Sequence, residues 1–262
     1  MSVSDKTVSD SEDRPMKKTA AIILAAGKGT RIGGDTPKQY MTIGEYPLVY
    51  DSLKAFSESF TDEIVLVCGE QDRQYCSEQI VEKYGFDKVK SIVAGGRERY
   101  HSVYNGLKAL RCIAEGDGCE PCDIVFIHDA ARPFVDGEII KRVYDAAVSY
   151  HAAVVAVPAK DTVKIADPEG FAVETISRDL VWQMQTPQTF DFYEIYDAYS
   201  RLIESEEDIT KRGVTVTDDG MVLELFANRK VKLVMGDYMN IKVTTPDDIA
   251  LAQNYIERKG LR

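Results

Sequence analysis

Five short apolar runs, at residues 20–25, 64–68, 89–93, 124–127 and 152–157, alternate with stretches whose apolar residues recur at helical spacing, near 48–57, 71–83, 99–114 and 138–150. Apolar runs this short, bounded by turn residues, read as strands buried on both faces. Strands that alternate with helices in this way predict an α/β fold, with a Rossmann-like, mainly parallel sheet and helices on both faces. Ligands of such sheets sit at the carboxyl ends of the strands. The chain has 262 residues, 44% of them hydrophobic, which is ample core for that arrangement.

The rhythm breaks between 158 and 182, where short β-like pieces flank the turn-forming Asp167-Pro168-Glu169-Gly170. This reads as a hairpin arm. A two-stranded hairpin is marginal on its own in water, so the arm is expected to pack on a second subunit and make a homodimer. Helical patterns resume at 192–204 and 219–227, followed by a strand at 231–235 and a last helix opened by Pro246-Asp247-Asp248. Residues 1–16 are polar and aperiodic, which predicts a disordered leader and leaves 17–262 as one domain carrying the arm.

Acidic residues outnumber basic ones by 43 to 32, a formal net charge of −11, which disfavours general attraction to nucleic acid or anionic lipid. Any phosphate chemistry must then rest on cations gathered at one place. No run approaches the roughly 18 apolar residues of a membrane span, and the start has no signal-type apolar stretch, so a cytoplasmic location is expected. Five cysteines without an export signal are expected to be reduced thiols. Cys119 and Cys122 have zinc-knuckle spacing but lack a second ligand pair, and read as incidental thiols.

Directly after the first apolar run comes Leu24-Ala25-Ala26-Gly27-Lys28-Gly29-Thr30-Arg31, followed by Pro37-Lys38-Gln39-Tyr40. Ala and Gly leave backbone N–H groups uncovered, so phosphate oxygens can approach them, and Arg31 and Lys38 add positive charge. The segment matches neither the P-loop pattern nor G-x-G-x-x-G, which disfavours a P-loop ATPase and a dehydrogenase. Asp129 ends another apolar run, at a strand terminus where a carboxylate can meet ribose or a metal ion. His128 before it adjoins buried strand residues and reads as structural.

Taken together, Ala25-Ala26-Gly27-x-Gly29-x-Arg31 and Pro37-Lys38-Gln39-Tyr40 resemble the signature loop of the sugar-phosphate and polyol-phosphate nucleotidyltransferases. Further matches run down the chain: Gly95-Gly96-x-x-Arg99-x-x-Ser102, His128-Asp129-Ala130-Ala131-Arg132-Pro133, Asp161-Thr162-Val163-Lys164, Gln185-Thr186-Pro187-Gln188, Thr217-Asp218 and Asn240-Ile241-Lys242-Val243-Thr244. Within that group the chain most resembles the 2-C-methyl-D-erythritol 4-phosphate cytidylyltransferase family. The resemblance implies attack by a phosphate-monoester oxygen on the α-phosphorus of CTP, with release of pyrophosphate. It implies that Arg31 and Lys38 are the catalytic cations, and that Ala25, Ala26, Gly27, Gly96, Ser102, Asp129 and Ala130 hold CTP. It further implies Mg2+ at Asp129, and Thr162, Arg178, Thr186, Thr217 and Lys242 around the acceptor phosphate, with Thr162 and Arg178 supplied by the arm.

Two alternatives come from the same residues. Ribitol 5-phosphate cytidylyltransferases share most of these motifs, including Arg178 and Lys242, but often carry Gly at the position of Ala26 and Val at that of Ala131, which favours methylerythritol phosphate here. A non-catalytic nucleotide-binding regulatory subunit is expected to have lost one of Arg31, Lys38 and Asp129, and all three are present.

Overall fold

The computed structural model describes residues 16–27 and 37–259. The chain begins with β1 (Thr19–Ala25), a 3-10 turn (Lys38–Tyr40), the small ribbon β2 (Thr42–Ile43) and β3 (Tyr46–Pro47), α1 (Leu48–Glu58) and β4 (Glu63–Cys68). A short α2 (Arg73–Tyr75) widens into a π-helix (Cys76–Glu82), and β5 (Val89–Ala94), α3 (Arg99–Asp117), β6 (Ile124–Asp129), α4 (Gly137–Tyr150) and β7 (Ala152–Pro158) follow. Beyond them lie β8 (Lys164–Ala166), β9 (Ala172–Thr175), β10 (Trp182–Asp191), α5 (Phe192–Glu204), α6 (Glu206–Lys211), α7 (Asp219–Ala227), β11 (Lys232–Met235) and α8 (Pro246–Lys259).

Seven strands form the central sheet in the order β11-β7-β10-β6-β1-β4-β5, and only β10 runs antiparallel to its neighbours. The α/β sheet expected from the alternation is therefore present. Each side of β1 shows why its residues are apolar throughout: Ala21, Ile23 and Ala25 pack into a layer with α1 and α4, while Ala20 and Ile22 pack into one with α3 and α5. A strand buried on both faces has no polar side to alternate with. Fully burying a Val, Leu or Ile is worth about 1.5–3 kcal/mol, so the two layers are the main source of stability. Among the described residues no helix is long and apolar enough to cross a membrane.

The chain winds outward from β1 in both directions, through β4 and β5 on one side and β6 on the other. The strand order thus reverses between β1 and β6, which opens a crevice at their carboxyl ends. Register makes the edge level: Ala25 lies opposite Cys68, Cys68 opposite Ala94, and Leu24 opposite Asp129. The loops that leave β1, β5 and β6 consequently emerge side by side.

Two elements depart from the sequence reading. β10, Trp-Gln-Met-Gln-Thr-Pro-Gln-Thr-Phe-Asp, lies in the middle of the sheet, although its Pro and Gln content disfavours a strand. Pro187 is tolerated because it falls within a register break between Met184 and Gln188. The helix expected over 71–83 is real on its buried Cys76–Ile80 face but is mostly π-helical. The arm is a hairpin of β8 and β9, and its Phe171, Val173 and Leu180 are exposed.

Candidate active site

The crevice holds a cavity of about 320 Å³ whose lining draws on Ala25, Ala26, Gly27, Lys38, Gly96, Ser102, Asp129 and Lys242. These eight residues come from five separated stretches of sequence. Gly95 shows how closely the loops pack: a Cβ built there would lie 2.3 Å from the Ala26 Cβ and 2.9 Å from Ser102 Oγ. The turn is closed by the Gly96 N–H, which donates to Ser102 Oγ at 3.0 Å. Ser102 Oγ keeps its second lone pair for a donor in the cavity.

Asp129 is held from both sides. Its Oδ1 accepts from Arg99 Nε at 3.2 Å and its Oδ2 from Lys242 Nζ at 2.6 Å. Burial alone would raise its carboxyl, but the charges of Arg99 and Lys242 outweigh burial and keep it well below the usual carboxylate range. Arg99, the first residue of α3, gives its two remaining arms to Asp219 at 2.7 and 2.8 Å. Burial works against the Arg99 charge, yet Asp219 and Asp129 hold its pKa well above the ordinary value. The Asp219 side chain is 0% exposed and also accepts from the Tyr199 hydroxyl. Asp219, Arg99, Asp129 and Lys242 thus alternate in sign from the core to the cavity, which is what lets charges be buried there.

The backbone of this edge is fixed by a second chain of hydrogen bonds. The Asp129 N–H donates to Thr186 Oγ1 (3.1 Å), and Thr186 Oγ1 is 2.9 Å from His128 Nδ1. His128 Nε2 faces the Arg132 carbonyl at 3.2 Å, so Nε2 carries the ring hydrogen and Nδ1 accepts from Thr186. Burial pushes the His128 pKa down to about 4, and the ring is a neutral brace. Arg132 donates to the carbonyls of Asn240 and Met184, Asn240 Nδ2 donates to the Thr186 carbonyl, and the Val243 N–H donates to the Ala131 carbonyl. These bonds clamp the loop of Lys242 against Asp129.

Arg31 lies outside the described residues, as do residues 1–15 of the expected leader. Of the remaining expected residues, Ala130 is buried next to the cavity and donates its N–H to the Leu24 carbonyl. Thr186 is buried and its hydroxyl is committed to His128 and Asp129, so it supports the site from beneath and does not face an acceptor in it. Thr217 is exposed and off the cavity lining, and the cap of α7 is Asp218, whose carboxylate accepts the Met221 N–H. Thr162 and Arg178 are exposed on the arm and outside the lining, and Arg178 Nη1 donates to the Lys160 carbonyl. Cys119 is exposed and Cys122 buried, and the described residues contain no cluster of three or more His, Cys, Asp or Glu suited to a metal ion.

The sequence reading placed Arg99 and Gln188 in matched motifs but gave neither a role, and it passed over Asp219. Gln188 Oε1 accepts the N–H groups of both Asp219 and Gly220, which satisfies the start of α7 and sets Asp219 toward Arg99. The sequence signals were the motifs Gly95-Gly96-x-x-Arg99 and Gln185-Thr186-Pro187-Gln188.

A doubly covered sheet with main-chain loops, a lysine pair and a buried carboxylate at its switch point defines a nucleotide-binding enzyme of the nucleotidyltransferase class. The family model described as 2-C-methyl-D-erythritol 4-phosphate cytidylyltransferase matches residues 19–258, and the chain belongs to that family. A relative of that name from Clostridium kluyveri is 44% identical over 240 residues, covering 91% of this chain and 96% of its own length. Another from Clostridium botulinum is 43% identical over 244 residues, covering 93% and 99%. The crystal structure of 4-diphosphocytidyl-2C-methyl-D-erythritol synthase from Anaerococcus prevotii superposes with a TM-score of 0.77 at 35% identity, covering 92% of this chain and 96% of that one. The Francisella tularensis 2-C-methyl-D-erythritol 4-phosphate cytidylyltransferase gives 0.71 at 30% identity, covering 91% and 99%.

Proposed function

We propose that the cavity binds CTP and 2-C-methyl-D-erythritol 4-phosphate and transfers CMP between them. The acceptor's phosphate oxygen forms a bond to the α-phosphorus, the bond from that phosphorus to the bridging oxygen breaks, and pyrophosphate leaves with the electron pair. The observation that carries this reading is the convergence of Lys38, Lys242 and Arg99 with the exposed backbone of Ala26, Gly27 and Gly96 on one cavity in a chain of net charge −11. The nucleophile is already an anion, so no general base is needed. Asp129, ion-paired on both oxygens and held far below the usual range, is unsuited to be one. Its work is to hold Lys242 beside the cavity, where that ammonium draws in the acceptor phosphate. Lys38, with Arg31, is assigned to the triphosphate and to the charge that grows on the α-phosphoryl oxygens.

Asp129 is the hard oxygen donor at the strand ends, and both its oxygens already face cations. With both oxygens paired to Arg99 and Lys242, Asp129 does not fit as a direct ligand, and a magnesium ion here would be held by phosphate oxygens and water. When bound, the ion would neutralise triphosphate charge.

With CTP, magnesium and purified protein, pyrophosphate release is expected to depend on methylerythritol phosphate, and ATP, GTP and UTP are expected to be poor donors. Faster turnover of ribitol 5-phosphate in the same assay would reassign the acceptor, and no turnover with any polyol phosphate would reject the reading.

The arm supports a homodimer in which each cavity borrows Thr162 and Arg178 from the other chain. Phe171 and Leu180 are 72% and 79% exposed on a two-stranded hairpin that has no core of its own, and a second copy would cover them. Mixed Arg178→Ala and Lys38→Ala chains, each strongly impaired alone, are expected to regain activity, since one cavity of the heterodimer keeps both residues. Absence of recovery in mixtures shown by mass spectrometry to contain heterodimers would confine Arg178 to its own chain.

A further inference from the structure

The turn after β5 is gripped from outside the cavity as well as from within it. On the inside, the Glu98 N–H donates to His101 Nδ1 at 3.2 Å, and the Glu98 side chain accepts the His101 N–H in a capping box. With Nδ1 accepting, the ring hydrogen of His101 is on Nε2, which lies 3.1 Å from Glu206 Oε2. On the outside, Arg97 Nη2 donates to Glu206 Oε1 at 2.6 Å and the Tyr100 hydroxyl donates to the same oxygen at 2.8 Å. Three side chains of one turn therefore meet a single carboxylate at the start of α6. That carboxylate is absent from the cavity lining, whereas Gly96, Arg97, Glu98 and Ser102 belong to it.

We propose that Glu206 is a positioning residue for the nucleotide: it pins Arg97, Tyr100 and His101 so that the main chain of Gly96 and the hydroxyl of Ser102 meet the base in a preformed geometry. The turn packs closely on α3, since a Cβ at Gly96 would sit 2.2 Å from the His101 Cβ. The Arg97 side chain is 76% exposed, and its guanidinium is bound by Glu206, which lies off the cavity lining. Once released, the turn must be ordered by the nucleotide itself, which weakens binding without touching the transfer step. Re-immobilising these side chains opposes binding, so freeing this group is expected to raise the KM for CTP by about tenfold.

The inference rests on the proposed binding of CTP in this cavity, with the Gly96 turn and Ser102 meeting its base. The test is full steady-state kinetics of Glu206→Ala, Glu206→Gln and the unmodified protein, varying CTP and acceptor in turn, with thermal melts alongside. Glu206→Ala is expected to raise the KM for CTP about tenfold, with kcat within about twofold and the acceptor KM unchanged. Glu206→Gln, which keeps one acceptor oxygen for Tyr100 but loses the charge for Arg97, is expected to fall between the two. An unchanged KM for CTP in either folded variant would overturn the proposal, and so would a uniform loss in kcat and both KM values that tracks a lowered Tm. If Glu206→Ala does not fold, the Gln variant decides alone. Failure of the unmodified protein to turn over CTP would instead remove the underlying reading of the cavity.

Discussion

Asp129→Asn is expected to lower kcat/KM by about a hundredfold or more, the scale on which displacing a positioning group by about 1 Å acts. The carboxylate gives one oxygen to Arg99 Nε and the other to Lys242 Nζ. An amide offers one acceptor oxygen, and its NH2 would be turned toward a cation. Arg99 keeps its two hydrogen bonds to Asp219, so Lys242 is the partner that is lost, and the acceptor phosphate loses its anchored ammonium. Breaking a buried ion pair destabilises by about 3–5 kcal/mol. The Lys242 side chain is 40% exposed and recovers part of that in water, so the loss is expected at or below about 3 kcal/mol. The sign with pH follows from the depressed carboxyl of Asp129. Its contribution is complete above the unfolded carboxylate value of about 4 and is lost as pH falls below it, because the unfolded chain takes up the proton first. Denaturation of both proteins at neutral and acid pH is expected to show a stability gap that narrows on acidification. Activity within threefold of the unmodified protein, or a gap that widens in acid, would remove Asp129 from this role.

The parts of the molecule legible in the sequence are those decided locally. Runs such as Ile64 to Cys68 and Ile124 to Ile127 are apolar on both faces because helices cover both, and nothing distant is needed to recognise them. The strand-end rule then placed Gly27, Gly96 and Asp129 at one edge, which the level register of β1, β4, β5 and β6 makes exact in the fold. β10 was illegible for the opposite reason. Its Gln185, Thr186 and Gln188 are buried because each finds a partner far away in sequence, at Asp237, Asp129 and Asp219. A polar strand among such partners has no local signature. The same holds for the site: Asp219 looks like any acidic residue opening a helix, and only its two bonds to Arg99, 120 residues away, reveal a buried counter-charge. Glu206 stands in Ser205-Glu206-Glu207-Asp208, which in sequence reads as a solvated acidic stretch.

Lys38→Ala is expected to depress kcat by about a hundredfold or more with little change in Tm, the loss typical of removing one preorganised donor from a developing oxyanion. The turn at Lys38 is held by main-chain bonds and by its buried neighbours. The Tyr40 N–H donates to the Pro37 carbonyl and the Met41 N–H to the Lys38 carbonyl, while Gln39 and Tyr40 are buried and the Tyr40 hydroxyl lies 3.1 Å from Cys76 Sγ. The turn therefore stays in place when the ammonium is removed, and the loss falls on chemistry. Charge accumulates on the α-phosphoryl oxygens as the acceptor attacks, so an interaction made there stabilises the transition state more than bound CTP. The defect is accordingly expected in kcat, with a smaller rise in the KM for CTP from lost attraction to the triphosphate. Lys38→Arg is expected to restore only part of the rate, because a planar fork on a longer stem cannot occupy the place of a compact ammonium. Kinetics of both variants beside thermal melts decide the assignment: near-normal kcat in Lys38→Ala, or full recovery in Lys38→Arg, would mean that charge alone at the cavity edge suffices and that Lys38 does not engage the transferring phosphoryl group.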